Sequence, residues 1–298
     1  MVRKVGSTRV PTPVADWPGK LDRLCQTRES WAGLPPGPLV MGILNVTPDS
    51  FSDPGHLFDP ARAIDEGRRM LAEGAAVLDV GGESTRPGAE PVPVDEEQRR
   101  VLPVIAALAR EGAVIAVDTR NAGTMARALD VGARIVNDVS ALQHDREAAP
   151  LVAHRRCPVI LMHMRGTPAT MNGLARYGDV GAEVLAELAQ RVAMAEAAGI
   201  DPVAVAVDPG FGFAKNAAQS RELVQRLALF VNLPGPIIAG VSRKKFVGEM
   251  AGVGDALARG PASVAAALAA LSHGASILRV HDVPDTIQAV RVWRALNQ

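Results

Sequence analysis

The stretch MGILNVTPDSFSD, residues 41 to 53, decides how the rest of the chain is read. Its first four residues are mostly apolar and read as a buried strand, but Asn45 and a Thr-Pro-Asp-Ser turn too polar for any core follow at once. A strand that only packs does not end this way. One that carries a binding group to the edge of a sheet, below a mobile or phosphate-binding loop, does.

The same pattern recurs along the chain. Short apolar runs alternate with longer segments of helical period: LVMGILNV with ARAIDEGRRMLAEG, AVLDVGGE with VDEEQRRVLPVIAALAREG, VIAVDT with NAGTMARALDVG, and RIVNDVS with EAAPLVAHRR. The second half continues with PVILMHM and a helix expected over about 181–198, where Leu185, Leu188 and Val192 share one face. VAVAVDPG with SRELVQRLALF, PIIAGVS with ASVAAALAALSHG, and SILRVHD with DTIQAVRVWRALNQ complete the set.

Eight strand-helix units predict an α/β fold, a (β/α)8 TIM barrel over residues 39–298, with strands apolar throughout because parallel strands are buried on both faces. A doubly wound open sheet is the alternative. It is disfavoured because no GxGxxG follows the first strand and no shift in composition marks a second domain. Residues 1–38, rich in proline and carrying Trp17 and Trp31, lie outside the repeat and are expected to pack on the barrel as an irregular N-terminal extension.

Composition excludes several functions. The chain has 298 residues, 48% hydrophobic, and its 32 lysines and arginines balance 32 aspartates and glutamates. There is no overall field to attract nucleic acid or an anionic membrane, so any anion site is local. Cys25 and Cys157 lack metal-ligand spacing and fit a reducing compartment. The alanine-rich run from Ala262 is broken by Ser272, His273 and Gly274, and the basic N-terminus lacks the apolar stretch of a secretory signal. A soluble cytoplasmic protein is expected.

A barrel opens the C-terminal ends of its strands on one rim, where enzymes of this fold place their chemistry. The residues there are Asn45, Glu83 to Arg86, Asp118, Asn137, Met162 with His163, Asp208, Ser242 to Lys244, and Arg279 with His281. Each has a plainer role available: Asp118 as a helix cap, Asn137-Asp138 and Asp208-Pro209-Gly210 as turns, His163 as a satisfied core histidine, Arg243-Lys244-Lys245 as a solvated face. Local capping, however, does not require such residues at all eight strand ends. Arg279 and His281, two apart on a strand, should point the same way and form an anion site with Arg86 and the Ser84 and Thr85 hydroxyls. Asp118, Asn137 and Asp208 offer carboxylate and amide edges suited to an amidine-like heterocycle of the guanine or pterin kind.

The strings NVTPDSFSD (45–53), GGESTRPGA (81–89), VDTRN (117–121), NDVSA (137–141), DPGFGFAK (208–215), SRKKF (242–246) and RVHD (279–282) together resemble the successive signatures of the dihydropteroate synthase family. The resemblance covers residues 39–298. It implies condensation of 6-hydroxymethyl-7,8-dihydropterin diphosphate with 4-aminobenzoate to 7,8-dihydropteroate and diphosphate, a step of folate biosynthesis, usually with Mg2+. It implies a pterin site of Asp118, Asn137, Met162, Asp208, Phe213, Lys244 and Arg279, with the Arg279 guanidinium stacked on the ring. It implies that Asn45, Thr85, Arg86, Arg279 and His281 hold the diphosphate, Asn45 also touching the metal. The 4-aminobenzoate pocket, shared with sulfonamide inhibitors, would comprise Thr85, Arg86, Pro87, Phe213, Ser242 and Lys244. Asp118, Lys244, Arg279 and His281 would be catalytic, and the protein a homodimer.

Two positions depart from the family pattern. Pro54 stands where glycine is common and stiffens the first loop; Ala214 replaces a glycine or serine and is expected to keep an ordinary backbone conformation. A pterin-dependent methyltransferase, a pterin-binding paralogue without catalysis and a sugar-phosphate barrel enzyme are the other readings. The STRPG and SRK strings, with Asn45, Arg86, Arg279 and His281 all present, argue against them.

Overall fold

The computed structural model describes residues 30–47, 59–84, 88–89 and 91–297. Pro54 and the residues Thr85, Arg86 and Pro87 lie outside these ranges. Eight strands are described: β1 Leu39–Asn45, β2 Val77–Gly81, β3 Ile115–Asp118, β4 Ile135–Asp138, β5 Val159–Met162, β6 Val205–Asp208, β7 Ile238–Ala239 and β8 Ile277–Val280. Between and after them run the helices α1 Pro60–Ala72, α2 Val94–Arg110, α3 Ala122–Asp130, α4 Ala148–Arg155, α5 Val180–Ala197, α6 Ala217–Gln225, α7 Lys245–Ala251, α8 Gly260–Ser272 and α9 Val283–Asn297. Every strand pairing is parallel, in the order β6-β5-β4-β3-β2-β1-β8-β7.

The sheet curls until its ends meet. A single bridge, Val207 to Ile237, and the bond from Val207 N to Pro236 O at 3.1 Å join β6 to the edge of β7. This is the expected (β/α)8 barrel, and its closure leaves no free strand edge. The expected simple alternation fails after β7, where two helices follow instead of one. The SRKKF string is the entry to α7, with Lys244 as its N-cap residue.

Alternation along the strands sorts the core into two clusters. Leu44, Leu78, Val80, Val117, Val136, Leu161 and Val207 face outward and pack under the helices. In α5 the buried stripe is Val184, Leu188, Val192 and Ala195, with Leu185 at its edge. Met41, Val77, Ala116, Ile135, Ile160, Ala206, Ile238 and Ile277 face inward as one apolar layer. Trp31 and Leu34, from the segment outside the repeat, belong to that inner layer, and Trp31 Nε1 donates to Ala204 O at 3.0 Å. They form the floor of the barrel.

Candidate active site

The strand period that builds the floor also builds the site. Two residues beyond Val77, Ala116, Ile135, Ile160, Ala206 and Ile277, on the same inward face, stand Asp79, Asp118, Asn137, Met162, Asp208 and Arg279. Asp118, Asn137, Met162, Asp208 and Arg279 line one enclosed pocket, joined by Phe213 and Lys244 from the loops after β6 and β7. Gly240, at the corresponding step beyond Ile238, leaves room: a Cβ there would meet Asp208 Oδ2 at 3.6 Å and Arg279 Cδ at 3.9 Å.

Arg279 is the hub. Its Nε donates to Asp79 Oδ2 at 2.5 Å and its Nη2 to Asp118 Oδ2 at 2.7 Å, bridging two carboxyl groups. Asp79 also accepts from Asn137 Nδ2 at 3.1 and 3.2 Å. Burial, and then the Asp79 carboxylate, push the Asp118 carboxyl up to about 7 against the pull of Arg279. Burial works against the charge of Arg279, but Asp79 and Asp118 together raise its affinity for the proton. Burial also raises Asp208, opposed by the Gly210 N–H that its Oδ1 accepts at 2.7 Å.

Asp79 is the residue that reading strand ends missed. It lies two positions inside β2, in AVLDVGGE, where only the carboxylate within an otherwise apolar run could have marked it. A charge is not buried at such a place without partners, and Asp79 has both a cation and an amide.

Some plainer readings hold. Asp138 accepts from Ser140 N, Ser140 Oγ and Leu142 N, so it shapes a turn while Asn137 faces the pocket. His163 is buried and partnered at both nitrogens, to Glu187 Oε2 at 2.9 Å and Lys215 Nζ at 2.8 Å, and burial holds it down to about 4. The basic run divides. Arg243 pairs with Asp282, Lys245 is exposed, and Lys244 turns inward with Nζ 4.0 Å from the centre of the Phe213 ring. Burial, and then Arg279, lower Lys244 to about 8.

Arg279 and His281 line different cavities. β8 ends at Val280, one residue before His281. His281 instead lines an adjoining cleft with Asn45, Arg62, Arg243 and Asp282, and its Nδ1 lies 3.0 Å from Ser242 Oγ. Burial, then Arg279, hold its imidazole down to about 3.

Ala214 departs from expectation too. Its φ is +49°, in the left-handed region, and it is fully buried. For a residue with a Cβ this costs roughly 1–2 kcal/mol, so the surrounding turn must hold it there.

For a divalent metal, the described residues contain no group of three His, Cys, Asp or Glu placed to bind one. Asn45 offers a single carboxamide oxygen at the end of β1 beside the cleft. That donor suits Mg2+ arriving on a diphosphate, which supplies most of its own oxygen ligands, better than a resident ion. No helix among the described residues is long and apolar enough to cross a membrane.

Comparison with known proteins gives a consistent result. The sequence model of the family described as pterin binding enzyme matches residues 41–281. Dihydropteroate synthase of Escherichia coli K12 is 44% identical over 259 residues, covering 87% of this chain and 91% of the relative. A probable bifunctional folylpolyglutamate synthase/dihydropteroate synthase of Haloferax volcanii is 48% identical over 86% of the chain, which spans only 30% of that longer protein. Among solved structures, Xanthomonas albilineans dihydropteroate synthase with 4-aminobenzoic acid superposes with a TM-score of 0.83 at 46% identity, over 88% of this chain and 93% of that one.

Proposed function

We infer the chemistry of the pocket from one premise: the chain belongs to the dihydropteroate synthase family of pterin binding enzymes. As a member it is a transferase that makes dihydropteroate from the dihydropterin diphosphate and 4-aminobenzoate, in folate biosynthesis. The residues of the pocket and of the adjoining cleft divide that work between them.

The observation that carries the assignment is the convergence of Asp118, Asn137, Asp208 and Lys244 on one pocket whose apolar walls are Met162 and Phe213. A pterin ring has an amidine edge of adjacent donors and a ring acceptor. Asp118 and Asp208 accept from the donors, Lys244 donates to the ring or its carbonyl, and Asn137, whose Nδ2 is engaged by Asp79, turns Oδ1 to the ligand. Arg279 is fixed by two carboxyl groups, so its guanidinium plane is set before the ring arrives and can stack on it.

The difficult step is cleavage of the C–O bond at the pterin methylene, since an arylamine is a weak nucleophile. Its nitrogen gives a lone pair to the methylene carbon, the C–O electrons leave with the diphosphate, and the nitrogen then loses one proton. No general base is required, because the arylamine is neutral at pH 7. The enzyme works on the leaving group. Asn45 and His281 stand on the rim for this; Thr85 and Arg86, which the family motif adds, lie outside the described residues. Ser242 Oγ, which accepts the His281 amide N–H at 3.2 Å, donates to Nδ1, so the neutral imidazole offers its Nε2–H to a phosphate oxygen. Mg2+ bound to the diphosphate would neutralise the charge that builds there. The arylamine would lie beside Phe213, Ser242 and Lys244; Thr85, Arg86 and Pro87, which the family motif adds to this pocket, lie outside the described residues, and sulfonamides would compete for the same place.

We further propose a homodimer, supported by Val292 and Leu296, 60% and 79% exposed one turn apart on α9, and a cytoplasmic location, in keeping with the free, buried Cys157. Sedimentation at micromolar concentration checks the first. The test of the reaction is diphosphate release with and without 4-aminobenzoate. Release that depends on the arylamine and yields dihydropteroate is expected; binding of the pterin diphosphate without turnover would leave a binding protein only.

A further inference from the structure

Lys215 has no place in the reaction just described, yet it is 7% exposed and its ammonium is fully engaged. Nζ lies 3.0 Å from Gly210 O, 2.9 Å from Phe213 O and 2.8 Å from His163 Nδ1. The three protons of an ammonium are taken up by these acceptors, with the His163 carbonyl oxygen as a more distant fourth at 3.4 Å. His163 can accept at Nδ1 because its Nε2 faces the Glu187 carboxylate at 2.9 Å, and a carboxylate only accepts. Glu187 is gripped in turn by Arg165, through Nε at 3.0 Å, and Arg165 also binds Glu183 at 2.8 Å. The chain of contacts runs from the surface of α5 to the underside of the loop after β6.

That loop is held against its own preference. Gly210, Gly212 and Ala214 have φ of +69°, +78° and +49°. Gly210 packs so closely on the backbone just after β5 that a Cβ would come within 2.0 Å of His163 O. The Gly210 N–H fixes Asp208 Oδ1, the Gly210 carbonyl receives both Phe213 N and Lys215 Nζ, and Phe213 carries the ring under Lys244. Two pocket residues therefore depend on a turn whose carbonyls are gathered on one buried cation.

We propose that Lys215 is the positioning residue of the pocket: supported by His163, its ammonium keeps the 210–214 turn in the left-handed conformation that aims Asp208 and Phe213. The proposal rests on the assignment of the pterin to Asp208 and of the arylamine to Phe213. Its effect falls on ground-state binding, because Lys215 touches no reacting atom.

The test is a cycle of four proteins, wild type, Lys215→Met, Ala214→Gly and the double variant. Each is assayed by calorimetric binding of the dihydropterin diphosphate with Mg2+, by steady-state kinetics and by thermal unfolding. Lys215→Met should raise the pterin KM and Kd tenfold or more while kcat changes less than threefold. Ala214→Gly alone should stay within twofold. In the double variant glycine removes the strain the ammonium no longer holds, and about fivefold of the lost affinity should return.

A purely structural lysine would lower the melting temperature without this split and without rescue by glycine, and that pattern would overturn the proposal. So would Lys215→Met binding within twofold of wild type. If Lys215→Met does not fold, His163→Phe, which removes the Nδ1 acceptor, takes its place under the same two criteria. A wild-type protein that fails to bind the pterin diphosphate would instead sink the assignment of the pocket.

Discussion

About two residues of strand, roughly 7 Å, separate the two inward layers of the barrel, and the chemistry inverts over that step. The lower layer, Met41, Val77, Ala116, Ile135, Ile160, Ala206, Ile238 and Ile277 with Trp31 and Leu34 beneath, contains only apolar side chains. The layer above it holds Asp79, Asp118, Asn137, Asp208 and Arg279. Both are products of the same alternation, so geometry does not distinguish them; partners do. The lower layer is stable wherever shape fits, whereas every charge in the upper one needs a named counterpart, and losing one leaves another buried alone. The floor supplies stability and the layer above supplies chemistry.

The strongest attempt to break this division is Arg279→Ala. It strands Asp79 and Asp118 and removes the plane on which the ring stacks, so kcat/KM should fall about 1,000-fold, or about 4 kcal/mol of transition-state binding, while far-UV circular dichroism stays that of a folded barrel. Near wild-type turnover would remove Arg279 from the site. Ile160→Ala is the mirror experiment in the floor. It should cost about 2–5 kcal/mol in urea unfolding through the cavity it opens, with turnover per folded molecule unchanged; a matching loss of activity would show that the layers are not separable.

Asp79→Asn keeps the volume and the hydrogen-bonding reach but removes the charge that anchors Arg279. A fall in kcat/KM of about tenfold, about 1.4 kcal/mol, is expected, mostly in the KM for the pterin. The smallest effect concerns pH. Asp118 in the folded protein, at about 7, lies above the value of about 3.9 for an aspartate in an unfolded chain. Between those values the native state keeps a proton that the unfolded chain has lost, so the contribution of Asp118 to stability declines as pH rises through that window. Asp118→Asn removes the titration. The melting temperature of the variant relative to wild type should climb from pH 4 to pH 7.5, and a flat difference would contradict the buried, proton-retaining carboxyl.

Most of the upper layer was legible in the sequence because a residue at a strand end breaks the pattern visibly: Asn137 after RIV, Asp208 after VAV, Asp118 after IAV. Asp79 was not, because it sits before the end of its strand and its partner Arg279 is 200 residues away. The left-handed Ala214 was hidden for another reason. Side-chain identity argues for ordinary φ at an alanine, and the buried turn that overrides it, with the contacts of Lys215 among its supports, is tertiary. Helix α7 is too short to show a period within SRKKFVGEM, and Trp31 and Leu34 lie in a segment with no period at all.

The closure between β6 and β7 carries a mechanical consequence. Seven strand pairings form ladders, but this seam is a lone bridge beside a strand of two residues. Asp208 stands on one side of the seam, and Lys244 follows the strand on the other. A ring gripped by both is a rivet through the thinnest hoop of the barrel. Substrate should therefore slow amide exchange at Val207 and its neighbours more than in the well-laddered β1 and β2, and the cage that selects the ring is itself tightened by holding it.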